Sequence, residues 1–390
     1  MSRVVYISPI SSRSGYGDCS RDFASYLLHK YKNEVSFLST RWGKCQLSEL
    51  DTKCPIVEKI KSQTINTLDS RPDICYQTLL PHEIQSIGNT NICITAGYEY
   101  TNWPEESLIK CDGINKTIVH SEFTRRCMLD TEHSTYELKT NPRVVHQSAP
   151  SIFYDKTFKR DNNIDTTLDT IDEDFCFLNV GVFNQRLDRK NIRQTIQSFQ
   201  QTFKRTNSNG MRKVALVLKI NGPKYNTTDF IDIKQYISET NKEFKNPCSV
   251  YLLYGNYTSK QLKSLYTHPK IKCYISLSHG EGYGRPVLES TLSELPVILT
   301  NWSGHTEFIP NNSDLLVSGT LTEVNDNFPN KTDKSMWFSA DMNSAMTCID
   351  RVYENYDEYK TLAINLSTKN IRKYNKDNMF EKYTQILKDY

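Results

Sequence analysis

Short runs of β-branched and aromatic residues alternate along this chain with longer segments whose apolar residues recur every three or four positions. Runs at 4–7, 35–38, 74–78, 91–95 and 117–120 read as strands. The segment 21–30 reads as a helix, with Phe23, Tyr26, Leu27 and Leu28 on or near one face. The pattern repeats further on, with strands predicted at 175–181, 214–219, 250–254, 272–277 and 296–300, and helices at 261–266 and from Pro286 to Leu295. Strand followed by amphipathic segment, repeated, predicts parallel sheets with crossover helices. A strand-like run at 144–147 precedes a stretch, 155–174, that is polar, charged and poor in apolar residues, and is expected to be an interdomain linker. In the tail, Met379, Phe380, Tyr383, Ile386 and Leu387 keep helical spacing.

Length and composition narrow the class. A chain of 390 residues is longer than one typical core and fits two domains. Its 37% hydrophobic and 24% charged residues are those of a soluble globular protein, and a net charge of +3 is no field for binding nucleic acid. No apolar run approaches the roughly 18–20 residues that span a bilayer. The N-terminus leads directly into the run at 4–7, which reads as a first core strand and not a signal peptide. The eleven cysteines are scattered, without a Cys-x-x-Cys, so neither a disulfide scaffold nor a zinc site is expected. Cys93, Cys176 and Cys273 lie in apolar runs and behave there as small hydrophobes. The expected location is the cytoplasm.

The densest chemistry is at Ser278-His279-Gly280-Glu281-Gly282-Tyr283-Gly284-Arg285-Pro286-Val287-Leu288-Glu289. A strand enters this stretch and a helix leaves it, with proline near the first helical position. Glycines let backbone approach a ligand, and a helix N-terminus presents N–H groups to an anion. Glu281 and Glu289, eight positions apart, are placed to accept hydrogen bonds from hydroxyls. A glutamate near a helix start can also simply complement the macrodipole. A phosphate seat beside carboxylates suits a nucleotide sugar.

The stretch resembles the Glu-x7-Glu signature of retaining glycosyltransferases of family 4 (glycosyl transferases group 1), whose usual form is Pro-Ser-x-x-Glu-Gly-Phe-Gly-x-Pro-x-x-Glu-Ala. The likeness continues through Leu295-Pro296-Val297-Ile298-Leu299-Thr300 and Gly304-His305-Thr306-Glu307, where the family often has Gly-Gly-x-x-Glu. The resemblance implies an α/β protein of GT-B fold: two Rossmann-like domains facing each other across a cleft, with a C-terminal helix returning to the first. The acceptor domain is expected at 1–160 plus 374–390, and the nucleotide-sugar donor domain at 161–373. It further implies hydroxyls of the donor sugar on Glu281, the ribose on Glu289, and sugar and phosphate on the amides of Gly282, Tyr283 and Gly284. Leu288, Gly15 and Gly17 complete the expected donor-binding set.

A leaving diphosphate needs cations, from a metal or from fixed side chains. The family uses side chains after the strand at 175–181. Lys190 matches its lysine, whereas the arginine place is held by Val182, leaving Arg186 and Arg189 as alternatives. Metal and cofactor are therefore expected to be absent. Arg285 reaches either phosphate or acceptor, or only solvent. In the first half, Ser11-Ser12-Arg13-Ser14-Gly15-Tyr16-Gly17 follows a strand and reads either as an ordinary turn or as a site loop. It is not a dinucleotide fingerprint, because Ser20 occupies the third glycine's place. Glu99, in Tyr98-Glu99-Tyr100, either orients the acceptor hydroxyl or is an acid in a wet loop. His120 is expected to be structural, with Ser121 a helix cap.

The implied reaction is retaining, metal-independent transfer of a hexose to a hydroxyl of a glycan, lipid or protein, by a front-face route. Asp172-Glu173-Asp174, the one Asp-x-Asp spacing, precedes a strand, which disfavours a metal-dependent transferase of the other fold. The alternative class is a non-catalytic nucleotide-sugar- or glycan-binding protein on the same scaffold. Lys110, Lys116, Arg125 and Arg126 leave a peripheral membrane contact open.

Overall fold

The computed structural model describes residues 3–390 apart from 33, 44, 46, 48–54, 134–135, 185–186, 205–212, 223 and 225. The chain divides into two compact units. The first comprises Met1–Ser148, Pro329–Met336 and Lys376–Tyr390, and the second Ala149–Phe328 and Trp337–Asn375.

The first unit is built on strands β1 (Val4–Ser8), β2 (Ser36–Ser39), β3 (Thr64–Ile65), β4 (Ile74–Thr78), β5 (Thr90–Thr95), β6 (Lys116–Val119) and β7 (Arg143–Val144). They form one sheet in the order β3-β2-β1-β4-β5-β6-β7, every pair parallel. Parallel strands need helices over their faces, and the near-continuous burial of β1, β4 and β5 shows that cover. On one face Phe23, Tyr26 and Leu27 of helix Gly15–Lys30 meet Tyr6, Tyr76, Met379, Tyr383 and Leu387. The last helix, Lys376–Ile386, thus packs its apolar stripe in this unit's core.

The second unit is built on β8 (Phe175–Val182), β9 (Val214–Asn221), β10 (Ser249–Leu253), β11 (Ile271–Ser276), β12 (Val297–Thr300) and β13 (Leu316–Val317). Their order, β10-β9-β8-β11-β12-β13, is again all parallel. It is the 3-2-1-4-5-6 order of a dinucleotide-binding sheet, whose switch point lies between its first and fourth strands. In this unit those are β8 and β11. A separate two-stranded sheet pairs β14 (Gly319–Glu323) with β15 (Met336–Ala340).

Three expectations change. The stretch read as a linker contains a helix, Asn162–Asp169, whose Ile164 and Leu168, four apart, are buried in the second unit's core. Ala149 and Phe153 join that core, so the division falls after Ser148 and not near residue 160. The first helix begins at Gly15, not at residue 21, because Ser14 caps it. Among the described residues no disulfide joins any cysteine, and no helix is long and apolar enough to cross a membrane. Lys110 pairs with Glu106 at 3.0 Å and Arg125 with Glu122 at 3.4 Å, so two of the four surface cations already answer acids on their own helices. Glu173 accepts from Ser249 and from the Tyr251 hydroxyl, which makes it a structural acid at the start of the sheet.

Candidate functional site

The loops that leave β8 and β11 flank the second unit's switch point, where open α/β sheets bind ligands beyond the carboxyl ends of their strands. The β8 loop carries Arg189 and Lys190, and the β11 loop carries Glu281. Asp188 and Asn191 take positive φ, 25° and 54°, and bend the first loop back. Asp188 accepts from the Ile192 amide at 3.0 Å and from the Tyr236 hydroxyl at 3.0 Å, anchoring that bend to the start of helix Ile192–Lys204 and to helix Thr227–Lys242. Burial pushes the Asp188 pKa up.

The two loops are laced together. The His279 amide donates to the Arg189 carbonyl at 2.8 Å, and the Ser278 hydroxyl to the same oxygen at 3.2 Å. Arg189 donates to the Gly280 carbonyl. Lys190, lying along Gly181, donates its Nζ to Glu281 Oε1, while Arg189 Nη1 stands 3.4 Å from Glu281 Oε2. Glu281 is 8% exposed. Burial alone would raise its pKa, but Lys190 and Arg189 beside it hold it at about 2. The carboxylate is thus ionised throughout the neutral range, and it serves as a hydrogen-bond acceptor.

Helix Arg285–Leu292 starts one residue beyond the loop. Its N-cap, Gly284, sits in the left-handed region at φ 85° and supplies no side-chain cap. A Cβ there would lie 2.5 Å from the Cβ of His305, so both space and backbone demand glycine. The Tyr283 ring is buried edge-on against Phe308 at 5.0 Å, and the Leu288 side chain is in the same core. Any ligand contact from either comes through backbone. Glu289, 5% exposed, takes the Arg285 Nε at 3.2 Å. Arg285 is therefore engaged by the signature's second acid. Tyr266 lies beside Glu289, and burial followed by that charge drives its hydroxyl pKa well up.

Behind the loop, His305 is fully buried. Its Nε2 faces the Thr300 carbonyl at 2.9 Å and so carries the proton, while burial lowers its pKa. Its Nδ1 has no hydrogen-bond partner among the described residues. His279 donates Nδ1–H to the Phe338 carbonyl at 2.7 Å and stacks on Trp337 at 4.3 Å. Sequence reasoning missed this cover, because nothing local in 336–340 announces a partner nearly sixty residues away.

The remaining candidates belong to the first unit or are not described. Arg186 is outside the described residues. Gly15 and Gly17 are the first and third residues of the first unit's opening helix, where the Gly17 amide donates to the Ser14 hydroxyl at 3.0 Å. A Cβ on Gly17 would fall 2.0 Å from the Ser12 carbonyl oxygen, so this glycine serves close packing. Glu99 is half-buried in the loop after β5, where its charge, after burial, helps raise the Tyr16 pKa. Tyr16 stacks on Trp42 at 4.0 Å and accepts from the Ala96 amide at 3.1 Å. Residues 329–336 brace the Glu99 loop, with the Thr101 amide donating to the Met336 carbonyl at 2.9 Å. His120 is buried between the Val145 carbonyl and Cys19 Sγ, and Ser121 caps its helix. Among the described residues, no three His, Cys, Asp or Glu side chains gather to hold a metal ion.

Residues 169–353 match the family model described as glycosyl transferases group 1, a span that takes in Arg189, Lys190, Glu281 and Glu289. No curated protein sequence matches the chain. Among solved structures, HepE from Anabaena in complex with UDP and glucose superposes with a TM-score of 0.65 at 10% identity, covering 100% of both chains. Trehalose-6-phosphate synthase, OtsA, gives 0.64 at 12% identity, over 100% of this chain and 99% of that one. A glycosyltransferase from Rickettsia africae gives 0.63 at 13% identity, with the same coverage. The chain has the GT-B fold of these proteins, two Rossmann-like α/β units.

Proposed function

We propose that the protein is a retaining, metal-independent glycosyltransferase that moves a hexose from a nucleoside-diphosphate sugar to a hydroxyl of a glycan, lipid or protein. The observation that carries this reading is the buried, ionised Glu281 held by Lys190 and Arg189 at the switch point, beside a helix start that no side chain caps. The match of residues 169–353 to glycosyl transferases group 1 supports nucleotide-sugar chemistry, and the UDP and glucose bound to HepE make UDP-glucose the first donor to try.

In this reading Glu281 accepts hydrogen bonds from donor-sugar hydroxyls, and Glu289, steadied by Arg285, accepts from the ribose. The backbone of Gly282, Tyr283 and Gly284 meets the sugar and phosphate. As the bond from the anomeric carbon to the phosphate oxygen breaks, charge grows on the diphosphate, and Lys190 and Arg189 stabilise it. The acceptor oxygen forms its bond on the face the phosphate leaves, and its proton passes to the departing phosphate oxygen. Positioning and fixed charge supply the catalysis. Glu99 is assigned to the acceptor, and the chain to the cytoplasm.

Incubation with UDP-, GDP- and ADP-sugars in the presence of a chelator tests this. The expected result is release of nucleoside diphosphate, with the product keeping the donor's anomeric configuration by NMR. Binding of UDP without turnover of any donor, across glycan, lipid and peptide acceptors, would instead favour a non-catalytic nucleotide-sugar-binding protein.

A further inference from the structure

After β12 the chain turns through Asn301-Trp302-Ser303-Gly304-His305. Ser303 stands at φ 76° and ψ −177°. That conformation belongs essentially to glycine, and a side chain held there is strained. Ser303 is also 5% exposed, so the strain is not relieved by solvent or by local freedom. Such a residue persists only where the surroundings fix it, which makes its contacts the place to look.

Those contacts converge on Glu281. Ser303 Oγ accepts the Glu281 amide at 3.0 Å. The next residue, Gly304, donates its own amide to the Glu281 carbonyl at 2.9 Å. A Cβ on Gly304 would lie 2.4 Å from the Gly282 carbonyl oxygen, so the two turns meet backbone to backbone. Glu281 stands between Gly280 and Gly282, and glycine-flanked backbone loses more freedom on ordering than any other. Without an outside anchor, the carboxylate that meets Lys190 and Arg189 would be carried by the softest stretch of the loop.

We infer that Ser303 is a positioning residue, whose hydroxyl fixes the backbone of Glu281 at the cost of strain in its own. A glycine at 303 would hold the turn without strain but would lack the oxygen. The kinetic consequence rests on the donor-binding reading above, whereas the clasp itself does not.

Two variants separate hydroxyl from strain. Ser303→Ala loses the oxygen and keeps the strained conformation, and Ser303→Gly loses the oxygen and removes the strain. Hydrogen–deuterium exchange resolved to the Glu281 amide is expected to quicken at least about tenfold in both, since an amide released from its partner exchanges from a more open state. With UDP-glucose, kcat is expected to fall about tenfold or more in both, with KM within about threefold, because misplacement by about 1 Å costs up to about a hundredfold in rate. Tm should differ between them, with alanine lower. Ser303→Thr, which keeps a hydroxyl, should recover most of kcat at a reduced Tm. A rate that follows Tm, normal in the glycine variant and low in the alanine, would mean mere structural support and would overturn the inference. So would an unchanged Glu281 exchange rate in Ser303→Gly. If the wild type turns over neither UDP-glucose nor the other donors, the proposed function falls, and exchange at Glu281 still decides the clasp.

Discussion

Two turns in this protein look alike as sequence: Ser14-Gly15-Tyr16-Gly17 after β1, and Gly282-Tyr283-Gly284 after β11. Each follows a parallel strand, spaces two glycines around a tyrosine and opens a helix. In the first, a serine closes the helix start, and the Gly17 amide is taken by the Ser14 hydroxyl. In the second, the N-cap is a left-handed glycine with no side chain to give, and a carboxylate three residues earlier is pinned by two cations. The glycines are thus used for opposite ends. Gly17 admits a carbonyl so that the turn can satisfy itself, whereas Gly284 clears the helix end of any side-chain cap. Under the proposed function, the residue at the N-cap distinguishes the turn assigned to the ligand from the turn that satisfies itself.

The largest effect should come from the cationic pair and its acid. Glu281→Ala and Lys190→Ala are each expected to lower kcat for nucleoside diphosphate release by about a hundredfold or more, the scale of one preorganised electrostatic contact. Lys190→Ala should also destabilise the fold by about 3–5 kcal/mol, because it leaves a buried carboxylate without its main partner. Chemical denaturation alongside the assay separates the two. Equivalent changes at Gly15 or Gly17 that left the fold intact and yet abolished donor turnover would erase the contrast between the turns.

Next comes Gly284→Ala. Left-handed backbone costs a side chain about 1–2 kcal/mol, and crowding His305 adds about 1–3 kcal/mol. A loss of about 2–5 kcal/mol in denaturant unfolding is expected. Gly15→Ala, where a Cβ meets open space in a right-handed helix, should be neutral or stabilising.

Acid sharpens the picture of Glu281. Its folded pKa of about 2 lies below the ordinary 4.5. Stability from this group is therefore fully present above about pH 4.5 and is lost as pH falls through about 2. The stability gap between wild type and Glu281→Gln should narrow across that window. A gap that stays constant down to pH 2 would mean that the carboxylate is not held by Lys190 and Arg189.

Much of this was legible in the chain because it is local. Parallel strands announce themselves as short β-rich runs, and every run read from sequence has its strand within a residue or two, except that 144–147 gives only Arg143–Val144. The glycines, proline and glutamates of the signature lie within twelve residues of one another, so their grouping needs no tertiary knowledge. What escaped was either weakly patterned or distant. Helix Asn162–Asp169 carries only two buried apolar residues, too few to stand out from its polar neighbours. The choice between Arg186 and Arg189 was closed to sequence because both lie in one loop. The structure places Arg189 against Glu281, and Arg186 is outside the described residues. The Ser303 contact joins positions 22 apart, and no periodicity reports a strained φ.

The smallest expected effect is the most informative about the comparison itself. Ser14→Ala removes the hydroxyl that accepts the Gly17 amide, and losing such a cap typically costs about 1 kcal/mol. Donor kinetics should not move, because in this account the cap completes a purely structural turn. The measurement is Tm together with KM for UDP-glucose. A small drop in Tm with KM unchanged keeps the first turn as architecture. If KM instead shifts severalfold while Tm holds, the amides Ser14 covers are shared with a ligand, and the N-cap residue no longer tells the two turns apart.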